Sequence, residues 1–124
     1  MKLLIVFTVA RNKLKNRVQE IVNSISDEFY EIFSNDGAVL IWFGSWVKGD
    51  AYLQSDIDLA IKSDQQLDNK KLSTFRQYLD EFPTLYKVNL VDMRDAGELL
   101  KIEIERYGKI FMSSQIKLFQ ASGR

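Results

Sequence analysis

Leu14, Val18, Ile21, Val22, Ile25, Phe29, Ile32 and Phe33 recur at spacings of three and four, which places them on one face of a long amphipathic helix. Asn35-Asp36-Gly37 ends that helix, with Gly37 suited to a left-handed cap. Ala38 to Phe43 is an unbroken apolar run too short for a helix, and it reads as a buried strand. Gly44-Ser45 then turns the chain into a short helical turn through Lys48. Asp56 to Ile61, rich in Ile and Leu, reads as the second strand. Leu67, Leu72, Phe75, Leu79 and Phe82 mark a further helix that Pro83 stops, and Leu85 to Val91 reads as a third strand. Asp95, with Glu98 three residues on, has the form of a capping box opening a helix through about Tyr107, before Gly108. Lys109 to Arg124 reads as a short apolar stretch followed by a polar tail (113–124) expected to fray.

The order helix, strand, short helix, strand, helix, strand, helix predicts an α/β (α+β) fold, a small mixed sheet covered by helices. No repeat, low-complexity tract or linker divides the chain, and residues 1–124 have the size of a single domain. Leu3 to Ala10 forms an apolar run behind Met1-Lys2, but Arg11, Lys13, Lys15 and Arg17 stand where a signal peptide needs small residues. The run is also too short to span a bilayer. Residues 1–10 are therefore expected to be a buried terminal segment or extension, and the protein to be cytoplasmic, without a membrane partner.

Composition narrows the chemistry. Lysine and arginine balance aspartate and glutamate at 17 each, so no global field draws the chain to nucleic acid, which argues against DNA or RNA as its main partner. The basic cluster Arg11, Lys13, Lys15 and Arg17 then reads as a solvated helix face. With no cysteine and no histidine, thiolate catalysis, Ser-His-Asp triads and zinc sites of the usual kind are excluded. Any catalysis rests on carboxylates, lysine, arginine, hydroxyls or a metal held by oxygen.

Gly44-Ser45, ten intervening residues, then Asp56-Ile57-Asp58 stand between apolar runs. Alternation along a strand turns Asp56 and Asp58 to one side and Ile57 and Leu59 to the core, with the two aspartate Cα atoms about 6.6 Å apart. Two carboxylates at ~5 Å repel by ~3 kcal/mol at an effective dielectric near 20. A cation between them relieves that cost, and Mg²⁺ suits the arrangement because it takes one or two carboxylates and completes its shell with phosphate oxygens and water. Gly44 permits a tight turn and close approach of a ligand, Ser45 opens a helical turn whose free N–H groups attract anions, and Lys48 can add positive charge. Each half alone is a common pattern, an ordinary turn or a solvated strand face; together, at this spacing, they point to nucleotide binding.

Gly-Ser-x10-Asp-x-Asp, with the wording Ser55-Asp56-Ile57-Asp58-Leu59, resembles the DNA polymerase β-like nucleotidyltransferases, and the small size is similar to the minimal nucleotidyltransferases (MNT) that partner HEPN-domain proteins. The resemblance runs from about Leu14 to Met112, including Tyr107-Gly108-Lys109-Ile110. It implies transfer of a nucleotidyl group, AMP from Mg-ATP or another nucleoside triphosphate, to a hydroxyl on a HEPN-type partner, with this chain as the antitoxin. It also implies Asp56 and Asp58 as catalytic metal ligands, and Gly44, Ser45 and Lys48 as nucleotide-binding residues. The family's third carboxylate falls at Asn89 in Lys87-Val88-Asn89-Leu90-Val91-Asp92, a neutral and weaker ligand for Mg²⁺. Asp92, three residues on, is expected on the opposite side of a regular strand, as a strand-end turn residue. Trp46 replaces an arginine common in relatives and reads as packing. The loss at Asn89 leaves a second reading, a module that binds nucleotide and neutralises a partner by contact without transferring anything.

Overall fold

The computed structural model describes residues 2–52 and 54–112, with side chains from Asn12 onward. Helix α1 (Lys2–Ile32) carries the predicted apolar face inward: Val18, Val22, Ile25, Phe29 and Phe33 are buried. It begins earlier than the periodicity from Leu14 indicated, since the backbone from Lys2 already belongs to it. The side chains expected to bury residues 1–10, and the polar tail, lie outside the described residues. Helix α1 ends at Ile32, before the Asn35-Asp36-Gly37 expected to cap it, and Gly37 adopts its left-handed φ of +65° in the turn that follows rather than as the helix cap.

Strand β1 (Val39–Phe43) leads through Gly44 into the one-turn helix α2 (Ser45–Lys48), and β2 (Ile57–Lys62) runs back antiparallel to β1. Helix α3 (Asn69–Glu81) follows, then β3 (Val88–Asp92) parallel to β2, a 3₁₀ turn (Met93–Asp95), helix α4 (Glu98–Tyr107) and β4 (Lys109–Phe111) antiparallel to β1. The sheet order is β3-β2-β1-β4, the mixed sheet anticipated.

Alternation divides the sheet's two faces. Leu40, Trp42, Ile57, Leu59, Ile61 and Phe111 pack with α1 and α3 in the larger core, where Phe29 meets Phe33 and Phe75. Ile41, Phe43, Ala60, Met93 and Ile104 form a smaller core beneath α4, on the face that also receives the side chain of Asp58. Tyr30 ties the layers together: its hydroxyl accepts from Leu40 N at 3.1 Å and donates to the carbonyl of Phe111. No described helix is long and apolar enough to cross a membrane.

Three element boundaries differ from expectation. The capping box at Asp95 does not form. Asp92 Oδ1 accepts from Arg94 N at 3.0 Å and winds Met93–Asp95 into the 3₁₀ turn, so α4 starts behind Gly97, which has no side chain to cap with. A side-chain cap opens α3 instead, where Asp68 Oδ1 accepts from Lys70 N and Lys71 N at 2.8 and 3.1 Å, and Leu67 and Leu72 flank it like a hydrophobic staple. The third strand begins at Val88 rather than Leu85, because Thr84 turns the chain through bonds to Phe82 O and Tyr86 N and leaves Leu85 fully exposed. The apolar stretch after Gly108 pairs with Leu40–Trp42 as the edge strand β4.

Candidate active site

Register brings the predicted residues into one row. Phe43 of β1 stands opposite Asp58 of β2, and Asp58 opposite Asn89 of β3, so the glycine turn, an acid and an amide lie side by side across three strands. Asp56 directly precedes β2 and projects to the same side. Asn89 Nδ2 donates to Asp56 Oδ2 at 3.0 Å and to Asp58 Oδ1 at 3.1 Å, so a single amide nitrogen bridges both carboxylates. Ile57 and Leu59, in alternation, are wholly buried. All three polar residues are half-buried.

Gly44 is required here for two separate reasons. Its backbone lies at φ +87°, ψ −162°, a region open almost only to glycine. A Cβ built on it would also stand 2.2 Å from Asp58 Oδ2, so the turn passes directly against the carboxylate. Ser45 begins α2, where the first backbone N–H groups have no intrahelical acceptor. Lys48 ends it, exposed, with its ammonium 2.8 Å from Glu103 Oε1 and 5.5 Å from the centre of the Tyr107 ring. Glu103 therefore holds the lysine more firmly protonated than usual.

Burial pushes the Asp58 carboxyl above its usual range; the Asn89 amide pulls it back in part, and the charges of Asp56 and Glu103 push it up further. Glu103 and Tyr107, on α4, are site neighbours that sequence reading missed. Glu103 stands in no motif and Tyr107 entered only within the Tyr107-Gly108-Lys109-Ile110 resemblance, with no role, because both reach Lys48 from 55 or more residues away. Trp46 is buried, as expected: its Nε1 donates to Ser55 O at 2.9 Å and its ring meets Tyr86 edge-on, which anchors the loop delivering Asp56. Asp92 pairs with Ile61, on the opposite alternation from Asn89, and lines a different cavity with Arg94 and Asp95. Beside Asp56 opens a groove of about 670 Å³ lined by Arg17, Ile21, Gln54, Leu85, Tyr86 and Lys87.

Asp56 and Asp58 are hard oxygen donors that converge on one amide, a donor set that fits an ion of the Mg²⁺ type binding through one or two carboxylates. Among the described residues no three acidic, histidine or cysteine side chains gather into a metal site. In the present rotamer it is the nitrogen of Asn89, not its oxygen, that faces the carboxylates.

Residues 24–117 match the family described as polymerase beta, nucleotidyltransferase. The fold is similar to the crystal structure of a toxin–antitoxin with AMP-PNP, at 25% identity and TM-score 0.53, over 74% of this chain and 76% of that one. A mutant of the toxin–antitoxin MntA-HpeT is similar at 26% identity and TM-score 0.51, over 73% of each chain. No curated protein matches the chain in sequence. The matched residues take in the glycine turn, the aspartate pair and Asn89, and the chain belongs to the polymerase β nucleotidyltransferases.

Proposed function

We propose that this chain transfers AMP from Mg-ATP to a hydroxyl on a HEPN-type partner protein and serves, in the cytoplasm, as the antitoxin of a toxin–antitoxin pair. The observation that carries the reading is the row joining Gly44, Asp58 and Asn89, with Asp56 beside it. The family match and the likeness to a toxin–antitoxin structure with AMP-PNP support it. Asp56 and Asp58 would hold Mg²⁺, which when bound supplies positive charge against the carboxylates and phosphates. Gly44 lets phosphate approach the backbone, Ser45 and the start of α2 donate to it, and Lys48 turns from Glu103 toward it. Asn89 stands at the third ligand position.

A second reading is favoured by Asn89 itself. An amide there cannot take a proton from the attacking hydroxyl and binds a metal more weakly than a carboxylate, so the chain neutralises its partner by contact alone. Incubation of the purified pair with labelled ATP and Mg²⁺ separates the two. Label on the partner that disappears with Asp58→Ala supports transfer. A stable complex that takes up no label supports neutralisation by binding.

A further inference from the structure

We propose that Asn89 stands in for a cation between Asp56 and Asp58 when nucleotide is absent, so that divalent metal binds only by displacing an amide bridge and enters most readily with the nucleotide. The inference deepens the nucleotidyl-transfer reading and rests on it for the identity of the nucleotide. Its physical content concerns this chain's own side chains.

The geometry has three parts. An amide carries two N–H groups, and here each carboxylate lies within hydrogen-bond distance of the same nitrogen, at 3.0 and 3.1 Å. Bonds from a neutral N–H to a carboxylate are charge-assisted, stronger than neutral ones and worth most where water is partly excluded. Asn89 sits in the register position beside Asp58, so the strands themselves present the amide. Second, among the described residues neither aspartate is in an ion pair within 4.0 Å, although Arg17 and Lys87 line the groove beside Asp56. Lys48, the cation on α2, is held by Glu103 at 2.8 Å, on the α4 side. Third, no further acid joins the pair to make a three-acid metal site among the described residues. Two anions and one two-armed donor therefore make a locally satisfied set without any ion.

This arrangement has a consequence opposite in sign to that of a ligand role for Asn89. If Asn89 bridges, metal must break its bonds, and truncating it removes a competitor. If Asn89 were chiefly a ligand through its oxygen, truncating it would remove a donor. Mn²⁺ is a suitable probe because it accepts the same oxygen ligands as Mg²⁺ and is paramagnetic, so free ion is counted directly.

The experiment titrates Mn²⁺ into the full chain, wild type and Asn89→Ala, without nucleotide and then with saturating AMP-PNP. Free Mn²⁺ is read by electron paramagnetic resonance, and melting is followed in EDTA. The bridge predicts that Asn89→Ala binds Mn²⁺ alone about tenfold more tightly than wild type, since two charge-assisted bonds no longer have to break. It also predicts that Asn89→Ala melts lower than wild type in EDTA and recovers on adding Mn²⁺. Asn89→Asp, a second variant, melts lower still in EDTA, because a third like charge replaces the donor, and regains more with Mn²⁺. Weaker Mn²⁺ binding by Asn89→Ala overturns the bridge, as does a melting temperature in EDTA equal to that of wild type. Should AMP-PNP fail to raise Mn²⁺ affinity in any variant, the nucleotide reading falls, and the metal-only titration and EDTA melting still decide the bridge.

Discussion

Replacing Gly44 by alanine adds one methyl group at the point where the first strand's turn touches Asp58, and the structure sets the size of the effect. The backbone at φ +87°, ψ −162° is strained for any residue with a Cβ, at about 1–3 kcal/mol. The methyl carbon would lie 2.2 Å from Asp58 Oδ2 and about as close to its Cγ and Cβ as any real contact, at 3.0 and 3.1 Å. The carboxylate must therefore move, which disturbs the bond that its other oxygen accepts from Asn89, an overpacking cost of about 1–3 kcal/mol more. At ~3–5 °C per kcal/mol for a chain of this size, the summed cost of about 2–6 kcal/mol should lower the melting temperature of Gly44→Ala by roughly 6–30 °C. Gly37→Ala is the control. Gly37 is also left-handed, at φ +65°, but a Cβ there meets nothing within 4 Å, so only the backbone cost of about 1–2 kcal/mol applies. The contact share is isolated by repeating Gly44→Ala in an Asp58→Ala background, where the colliding oxygen and Cγ are gone. Thermal and urea denaturation of the four variants would measure it. If Gly44→Ala costs no more than Gly37→Ala, or if the Asp58→Ala background leaves its cost unchanged within about 0.5 kcal/mol, the supposed contact does not shape the site.

Two further predictions concern groups already described. Asp58 has its folded pKa raised, first by burial, so its contribution to stability is full below the ordinary value of 3.8 and is lost as pH rises through the higher folded value. In EDTA, Asp58→Asn should therefore gain on wild type in melting temperature as pH climbs from about 4 toward neutrality; a gap that stays constant over that range would refute the assigned burial. Tyr30→Phe removes the hydroxyl that joins α1, β1 and β4, leaving Leu40 N–H without its 3.1 Å acceptor. It should cost about 1–3 kcal/mol in urea denaturation and speed hydrogen exchange at Leu40, and unchanged exchange there would show that the hydroxyl carries no weight.

Much of the architecture was written in local pattern. The inward face of α1 follows from a 3.6-residue period, which any core can satisfy in only one orientation, and residues from Val18 to Phe33 obey it. The alternation through Ile57-Asp58-Leu59 assigned one aspartate to the polar side, because in a strand a neighbour cannot share a face. Gly44 and the aspartates were legible as a spaced motif, and Trp46 as packing. Local pattern failed where competition between nearby groups decides. Two aspartates, Asp92 and Asp95, competed to wind the chain before α4, and the one at the strand end prevailed. Three residues, Lys109–Phe111, are too few to display a period, so β4 was visible only through its pairing with β1.

The amino-acid order alone thus marked the glycine turn and the aspartate pair as the candidate site and the strands that carry them, since both depend on residue type and short spacing. Only the tertiary structure decided that Asn89 reaches both aspartates, that Gly44 presses on Asp58, and that Glu103 and Tyr107 surround Lys48. Those relations arise from strand register and from a helix laid over the sheet, which bring together residues far apart along the chain and which no short segment specifies.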